Sequence, residues 1–244
     1  MNEKYDITLF FPVYNDEKTI RIVTEKAVKF LEDVSGNYEI IIIDDDSPDN
    51  SGKIADLLSH EYKNVRVIHH EKNMGYGFSL KSGFAAAKYE IICFTDGDDE
   101  YDINDFYHLL ELVNYYDLIV TFRYQRLYSG YRIFISKFYN ILIRKLFQTK
   151  YRDISTGLRL VKKSSIQKIK LQSDSPFIGA ELTIKLMLKG YRIGEVGIQT
   201  FPREFNKGAS VSIKNIISTI KDLRLVYKTI FSKNYNLPNN RNTR

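Results

Sequence analysis

The sequence has no tryptophan and a single cysteine, Cys93, among 244 residues. One cysteine excludes an internal disulfide, and its place inside an apolar run makes it a small core residue rather than a nucleophile. The four histidines, His60, His69, His70 and His108, show no metal-ligand spacing, and none is assigned a catalytic role. Long apolar runs are missing too. Nothing approaches the ~20 uninterrupted residues of a membrane-spanning helix. The start MNEKYDITLFF lacks the basic residues and cleavage site of a signal peptide, so the expected location is the cytoplasm. Acid is scarce in the second half: the net charge is +6, the acids crowd the first half, and the excess base follows Phe122. Such asymmetry suggests a cationic surface facing phosphates of a lipid headgroup, a nucleotide or nucleic acid. With 43% hydrophobic and 27% charged residues the chain can bury a proper core. The reading is one domain over 1–232, in two halves of about 1–122 and 123–232, with a disordered polar tail at 233–244.

What is present is concentrated in YEIICFTDGDDEY, Tyr89 to Tyr101. A buried strand over Glu90 to Phe94 runs into Asp96, Asp98, Asp99 and Glu100. Carboxylates this close raise one another's pKa unless a cation sits among them, and hard oxygen ligands suit a divalent metal. Gly97, without a Cβ, would let a phosphate-bearing ligand approach the backbone at the strand end. The same residues also fit a solvated acidic turn leading into a helix at Asp102 to Tyr116.

Upstream, strands alternate with helices. Ile7 to Phe11 is an apolar run stopped by Pro12, followed by helical spacing from Asp16 to Val34. Tyr38 to Ile43 is a second buried strand ending in Asp44, Asp45 and Asp46, with Ser47-Pro48-Asp49 capping a new helix. Val65 to His69, Gly75 to Lys88 and Ile91 to Thr95 continue the alternation as strand, helix and strand. This pattern predicts βαβ units, a parallel sheet and a nucleotide-binding type of architecture. Parallel strands bring their C-terminal ends to one edge, so Tyr14-Asn15-Asp16, Asp44-Asp45 and Asp96-Gly97-Asp98 should converge on one crevice. There a carboxylate can accept from a base or a ribose hydroxyl, and a tyrosine ring can pack on a base. Taken alone, Asp44 to Asp49 fits an N-cap equally well, and Asn73 to Gly77 fits a plain loop opening a helix.

These motifs carry a resemblance. FPVYND at 11–16, IIIDDDSPDNS at 41–51, NMGYGFSLKSGF at 73–84 and FTDGDDEYD at 94–102 resemble, in order and spacing, those of family 2 glycosyltransferases of the GT-A fold. SGYRIFISKFYNILIRKLF at 129–147, DISTGLRLV at 153–161, GAELTIKLMLKGYRIGEVGI at 179–198 and KGAS at 207–210 are similar to the dolichyl or polyprenyl phosphate branch. The resemblance implies an α/β fold: a GT-A, Rossmann-like, mostly parallel central sheet flanked by helices, with C-terminal amphipathic helices. It implies a nucleotide-sugar pocket of Pro12, Tyr14, Asp16, Ile43, Asp45, Asp96, Gly97 and Lys207. It also implies a Mg2+ or Mn2+ ion held by Asp96, Asp98 and Glu100, with catalytic Asp98, Arg123, Arg132 and Glu181. The family more often has glutamate at Asp16, a small or amide residue at Asp46 and, in the lipid-phosphate branch, glutamine at Glu100.

In the second half, Leu118 to Phe122 is an apolar strand delivering Arg123, Tyr124 and Arg126. From Tyr128 to Phe147 large apolar residues interleave with Arg132, Lys137, Arg144 and Lys145, the composition of a core helix or of an interfacial one with snorkelling cations. Sequence alone favours the core and the resemblance favours the interface. Glu181 stands where many family 2 enzymes keep a base, and also where a helix-surface glutamate would face Lys185 at i+4. The expected activity is inverting, metal-dependent transfer of a hexose from GDP-mannose or a UDP-sugar to a polyprenyl or dolichyl phosphate. It would take place at the cytoplasmic face of the membrane, with a membrane-anchoring protein partner or homo-oligomer and no nucleic acid. The alternatives are a transferase acting on a sugar hydroxyl in surface polysaccharide synthesis, with Glu181 as base, and a noncatalytic nucleotide- or lipid-binding module.

Overall fold

In a computed structural model the described residues are 4–124, 130–200 and 213–232, with the side chains of 130–134 outside that description. The chain runs β1 (Tyr5–Val13), α1 (Ile20–Val34), β2 (Ser35–Asp44), α2 (Ser51–Glu61), β3 (Val65–His69), α3 (Tyr76–Ala86), β4 (Ile91–Phe94), α4 (Asp105–Leu110) and β5 (Leu118–Arg123). It continues through α5 (Gly130–Phe147), β6 (Arg159–Lys162), α6 (Lys163–Ile166), α7 (Ile178–Leu188), β7 (Ile193–Ile198) and α8 (Ile213–Phe231). The first four strands and their helices fall where the alternation predicts them. α4 is shorter than expected, because i→i+3 bonds such as Leu112 N to Leu109 O tighten the chain into turns.

The seven-stranded sheet has the order β3-β2-β1-β4-β6-β5-β7. β1 is parallel to β2 and β4, β2 to β3, and β5 to β7, whereas β6 is antiparallel to both β4 and β5. Side chains alternate across it with the strand period of two. Leu9, Phe11, Ile40, Ile42 and Cys93 pack under α1, α2 and α4. Phe10, Ile41, Ile43, Ile92 and Phe94 face α3 and α7. A third cluster joins α5 to α8 through Ile143, Phe147, Val226 and Ile230. The interleaved segment over 130–147 is thus a core helix on one face, while Phe138 and Ile141 stand exposed beside Lys137, Arg144 and Lys145. The core reading of its composition holds for one face, and the other face is exposed.

Candidate active site

A cleft of about 870 Å3 opens at the C-terminal edge of β1, β2 and β4, where the sheet predicts it. Its lining includes Pro12, Tyr14, Asp16, Asp45, Asp96, Gly97, Asp98 and Glu100. The three strand-end turns share one device: Asn15, Asp46 and Asp99 all have left-handed backbone, at φ 62°, 59° and 58°. Asn and Asp tolerate that region because their short side chains bond locally. Glycine or asparagine in place of Asp46 would meet the same backbone requirement.

The two turns beside α1 and α2 are stitched together. Ser51 Oγ accepts Asp16 N at 2.9 Å, Asp49 Oδ2 accepts Glu17 N at 3.2 Å, and Asp49 Oδ1 accepts Ser51 N at 3.0 Å. Asp45 is buried: its Oδ1 accepts Met74 N at 2.9 Å and lies 2.7 Å from His70 Nδ1, and its Oδ2 accepts Gly75 N at 2.8 Å. It therefore clamps the Asn73 to Gly75 loop, which also lines the cleft. A carboxylate oxygen takes two donors, so Oδ2 retains room for a base N–H or a ribose hydroxyl. Asp44 turns away, its Oδ1 accepting Ser47 N at 3.1 Å and its Oδ2 lying 2.8 Å from His69 Nδ1. Two expectations need correction here. Ile43 is fully buried against α3 and does not line the cleft, because in a strand of period two it points opposite to Asp44 and into the sheet's packed face. Gly97 lines the cleft, but a Cβ there would stand 2.8 Å from Pro12 O and from Val13 Cγ1; the missing Cβ first serves the packing of this turn on β1.

After β4 three of the four carboxylates, Asp96, Asp98 and Glu100, line the cleft. Asp99 leaves the group, pairing at 2.8 Å with Lys26 of α1. Tyr76, at the N-terminus of α3, donates its hydroxyl to Asp96 Oδ1 at 2.8 Å. Burial, and Asp96 beside it, raise the Tyr76 pKa well above 10.0, so the phenol keeps this proton. Glu100 N donates to Asp98 Oδ1 at 3.1 Å. Asp96, Asp98 and Glu100, the expected metal ligands, line the same cleft, and among the described residues no three His, Cys, Asp or Glu side chains stand as a preformed metal cage. An open pair of hard oxygens still fits a divalent ion whose other ligands come from a diphosphate and water. Gly157 supports this pair: a Cβ there would stand 2.4 Å from Asp96 Oδ2.

Arg123 also lines the cleft, its Nε 2.9 Å and its Nη2 2.8 Å from the buried Asp153 Oδ2. Burial would lower its pKa, but Tyr101, Asp153 and Glu100 outweigh this and hold it raised. Asn140 of α5 donates to Asp153 Oδ1 at 3.3 Å and accepts Ile154 N at 3.0 Å, fastening α5 to the same loop. Neither Asn140 nor Arg159 stood out in the sequence. Arg159 is 1% exposed and lines the cleft, held by Thr156 O, Gly179 O, Thr183 Oγ1 and Ile154 O, all neutral acceptors. Its pKa is lowered by burial, so the guanidinium is a desolvated cation at the cleft. The available signal was a cation inside an apolar run, LRLV. Lys214, Asn215, Ser218, Lys221 and Asp222 of α8 complete the wall.

Glu181 requires the largest correction. It is fully buried in α7, pairs with Lys185 and accepts Gln172 N and Ser173 N at 2.8 Å each, and it does not line the cleft. With its charge spent on a buried pair and two amides it is a structural carboxylate. Arg132 and Lys207 lie outside the described side chains.

Comparison with known proteins places the chain among glycosyltransferases. The chain is 24% identical over 210 residues to glycosyltransferase AglD of Haloferax volcanii, covering 81% of this chain and 33% of that protein. It is 26% identical over 193 residues to a dolichol-phosphate mannosyltransferase of Pyrococcus furiosus, covering 75% of this chain and 53% of the relative. The chain thus spans between a third and about half the length of the curated relatives it matches first. Glucosyl-3-phosphoglycerate synthase from Mycobacterium tuberculosis, solved with Mn2+, UDP and phosphoglyceric acid, superposes with a TM-score of 0.72 at 18% identity, over 91% of this chain and 78% of that one. Residues 8–170 match the model of glycosyl transferase family 2, and the chain belongs to that family.

Proposed function

We propose that the chain transfers a hexose, with inversion, from a nucleotide sugar to a polyprenyl phosphate. The observation that carries this reading is the cleft itself, with Asp96 and Asp98 on one wall and Arg123, Lys214 and Lys221 on the other. Tyr14, 43% exposed at the rim, offers a ring for the base, and Asp45 one remaining acceptor. Asp96 and Asp98 would hold Mg2+ or Mn2+, which neutralises charge on the departing diphosphate. Arg159 adds fixed positive charge from beneath without touching solvent. Arg123, oriented by Asp153, would take the acceptor phosphate, since a guanidinium presents paired donors to it. A phosphate monoester has a second pKa of about 6 and arrives already nucleophilic, so it needs positioning more than a base. The burial of Glu181 supports this acceptor over a sugar hydroxyl, because it removes the base which that rival named. Relatives named as a dolichol-phosphate mannosyltransferase and an undecaprenyl-phosphate arabinose-derivative transferase, the latter from Proteus mirabilis, support it as well. No helix among the described residues is long and apolar enough to cross a membrane. On this reading the protein meets its lipid at the cytoplasmic face as a peripheral protein, with or without an anchoring partner.

The test is transfer from GDP-mannose and a panel of UDP-sugars, with Mn2+ or Mg2+, to a polyprenyl phosphate and to free sugars. A glycosyl phosphate lipid as product is expected. Transfer to sugar hydroxyls alone would replace this reading with its rival, and nucleotide-sugar binding without turnover would favour the noncatalytic module.

A further inference from the structure

His70 follows β3 directly, and its ring is packed rather than solvated, with a side chain 8% exposed. Its backbone N donates to Asp44 O at 2.9 Å, which fixes the residue beside the end of β2. Two residues of α3, four apart and therefore on one face, hold the ring. Ser82 Oγ lies 2.9 Å from Nε2, and the Phe78 ring meets the imidazole edge to face at 5.1 Å. From the other side Asp45 Oδ1, which already accepts Met74 N, lies 2.7 Å from Nδ1. An ionised carboxylate offers only lone pairs, so Nδ1 carries the proton of this contact, whether or not Nε2 is protonated as well. In the neutral ring Nε2 then accepts the Ser82 hydroxyl, and Ser82 thereby selects the tautomer that donates to Asp45.

We propose that His70, held by Ser82, is a positioning residue that leaves Asp45 a single acceptor place for the ligand, and that the pocket therefore selects uracil over guanine. The hydrogen-bond count carries this. Each carboxylate oxygen takes two donors. Oδ1 has both, from His70 Nδ1 and Met74 N, whereas Oδ2 has Gly75 N and one place left. Guanine presents two donors side by side, N1–H and the N2 amine, and a carboxylate satisfies the pair only when both of its oxygens are open to them. Uracil presents one donor, N3–H, between two carbonyl oxygens. A single place suits a single donor. With guanine in the pocket one enclosed N–H would go unpaired, and an unmet donor costs more than a good contact gains. Adenine and cytosine fare no better, since each sets a ring-nitrogen lone pair where uracil has N3–H, against the carboxylate. The flanking carbonyls of uracil call for donors, and Asn73, whose amide has two, lines the same cleft. The inference rests on the nucleotide-sugar reading of the cleft and is independent of the acceptor.

The experiment is calorimetric titration of the full chain, in Mn2+, with UDP, GDP, CDP and ADP, and it needs neither acceptor nor turnover. UDP should bind about tenfold or more tighter than each of the other three. His70→Phe keeps a ring against Phe78 but removes the donor, which opens Oδ1, and the ratio of UDP to GDP affinity should fall about fivefold or more. His70→Asn, whose amide sets an N–H near the place of Nδ1, should restore most of that ratio. Ser82→Ala takes away the group that selects the tautomer and should lower the ratio in the same direction, less than His70→Phe does. A histidine that only supports the fold would weaken all four nucleotides alike and leave the ratio as it is. The inference alone is overturned if GDP binds as tightly as UDP, if all four bind equally, which would give Asp45 to a ribose hydroxyl, or if neither His70→Phe nor Ser82→Ala changes the ratio. Failure of every nucleotide to bind would overturn it together with the nucleotide-sugar reading beneath it.

Discussion

The two walls of the cleft are built on opposite plans. On the donor side, acids at strand ends are plentiful and most of them bind the protein's own backbone or its cations: Asp45 holds the 73–75 loop, Asp49 stitches two turns, Asp44 faces His69 and Asp99 pairs with Lys26. On the other side acids are fewer: Asp153 is paired with Arg123, and Asp222 accepts Asp174 N and Ser175 N, while Glu181 pairs with Lys185 away from the cleft. The comparison teaches that a dense run of carboxylates is largely scaffold, with a few oxygens left facing the cleft. One buried ion pair, Asp153 with Arg123, orients a cation of the cleft, and neutral acceptors hold Arg159.

Asp98→Asn should separate the two jobs on the donor side with the largest effect expected here. The amide keeps the volume but loses the charge that a divalent ion requires, so turnover should fall about a thousandfold or more while the fold survives. Near-normal turnover with the metal chelated would break the assignment. On the other side Glu181→Ala should act in the opposite way. Removing one partner of a buried pair strands Lys185, which is 2% exposed, and should cost about 3 kcal/mol in urea denaturation. Activity per folded molecule should be retained, and a variant that is stable but inactive would restore Glu181 as a base. Asp45→Ala lies between the two plans. It removes both a loop clamp and a ligand acceptor, and should weaken nucleotide-sugar binding by about 2 kcal/mol in calorimetry. Unchanged affinity would confine Asp45 to the clamp.

The donor half was readable because its signals are local. Apolar runs of four to six residues, polar strand ends and a parallel topology together locate a crevice. The second half was less readable because its signals are contacts between distant segments. β6 is only four residues, Arg159–Lys162, with a cation at each end, and it inserts antiparallel between β4 and β5, where nothing in its composition announces it. β7, IGEVGI, is broken by two glycines. Asn140 looks like an interruption in an apolar helix until Asp153 is seen beside it. Glu181 was misread because a helical glutamate four residues before a lysine looks the same in sequence whether it is exposed or buried. Burial of its neighbours from several elements decides the matter, and that is tertiary information.

The smallest effect concerns a carboxylate that neither plan employs. Asp105, in the first turn of α4, has its pKa raised to about 6 from 3.8, by partial burial first and by Asp102 second, against a lowering by His108. A folded-state value above the unfolded one means that folding favours the protonated acid. The favourable contribution is complete below pH 3.8 and is lost as the pH climbs to about 6, which is the reverse of an acid stabilised by a cation. Because Asp105 is only partly buried, solvent screens the effect, and a shift of a few degrees at most is expected in melting temperature. Asp105→Asn, which cannot ionise, should match the wild type at the acid end and melt progressively higher than it through this window, with a plateau above it. Measuring the difference between the two proteins at each pH cancels the titration of all other groups, including His69, whose pKa is raised by Asp56 and Asp44 against the lowering effect of burial. A difference that stays flat with pH, or an Asn variant that melts lower at neutral pH, would show that Asp105 is held charged by a partner in the fold and belongs with the clamping acids of the donor side after all.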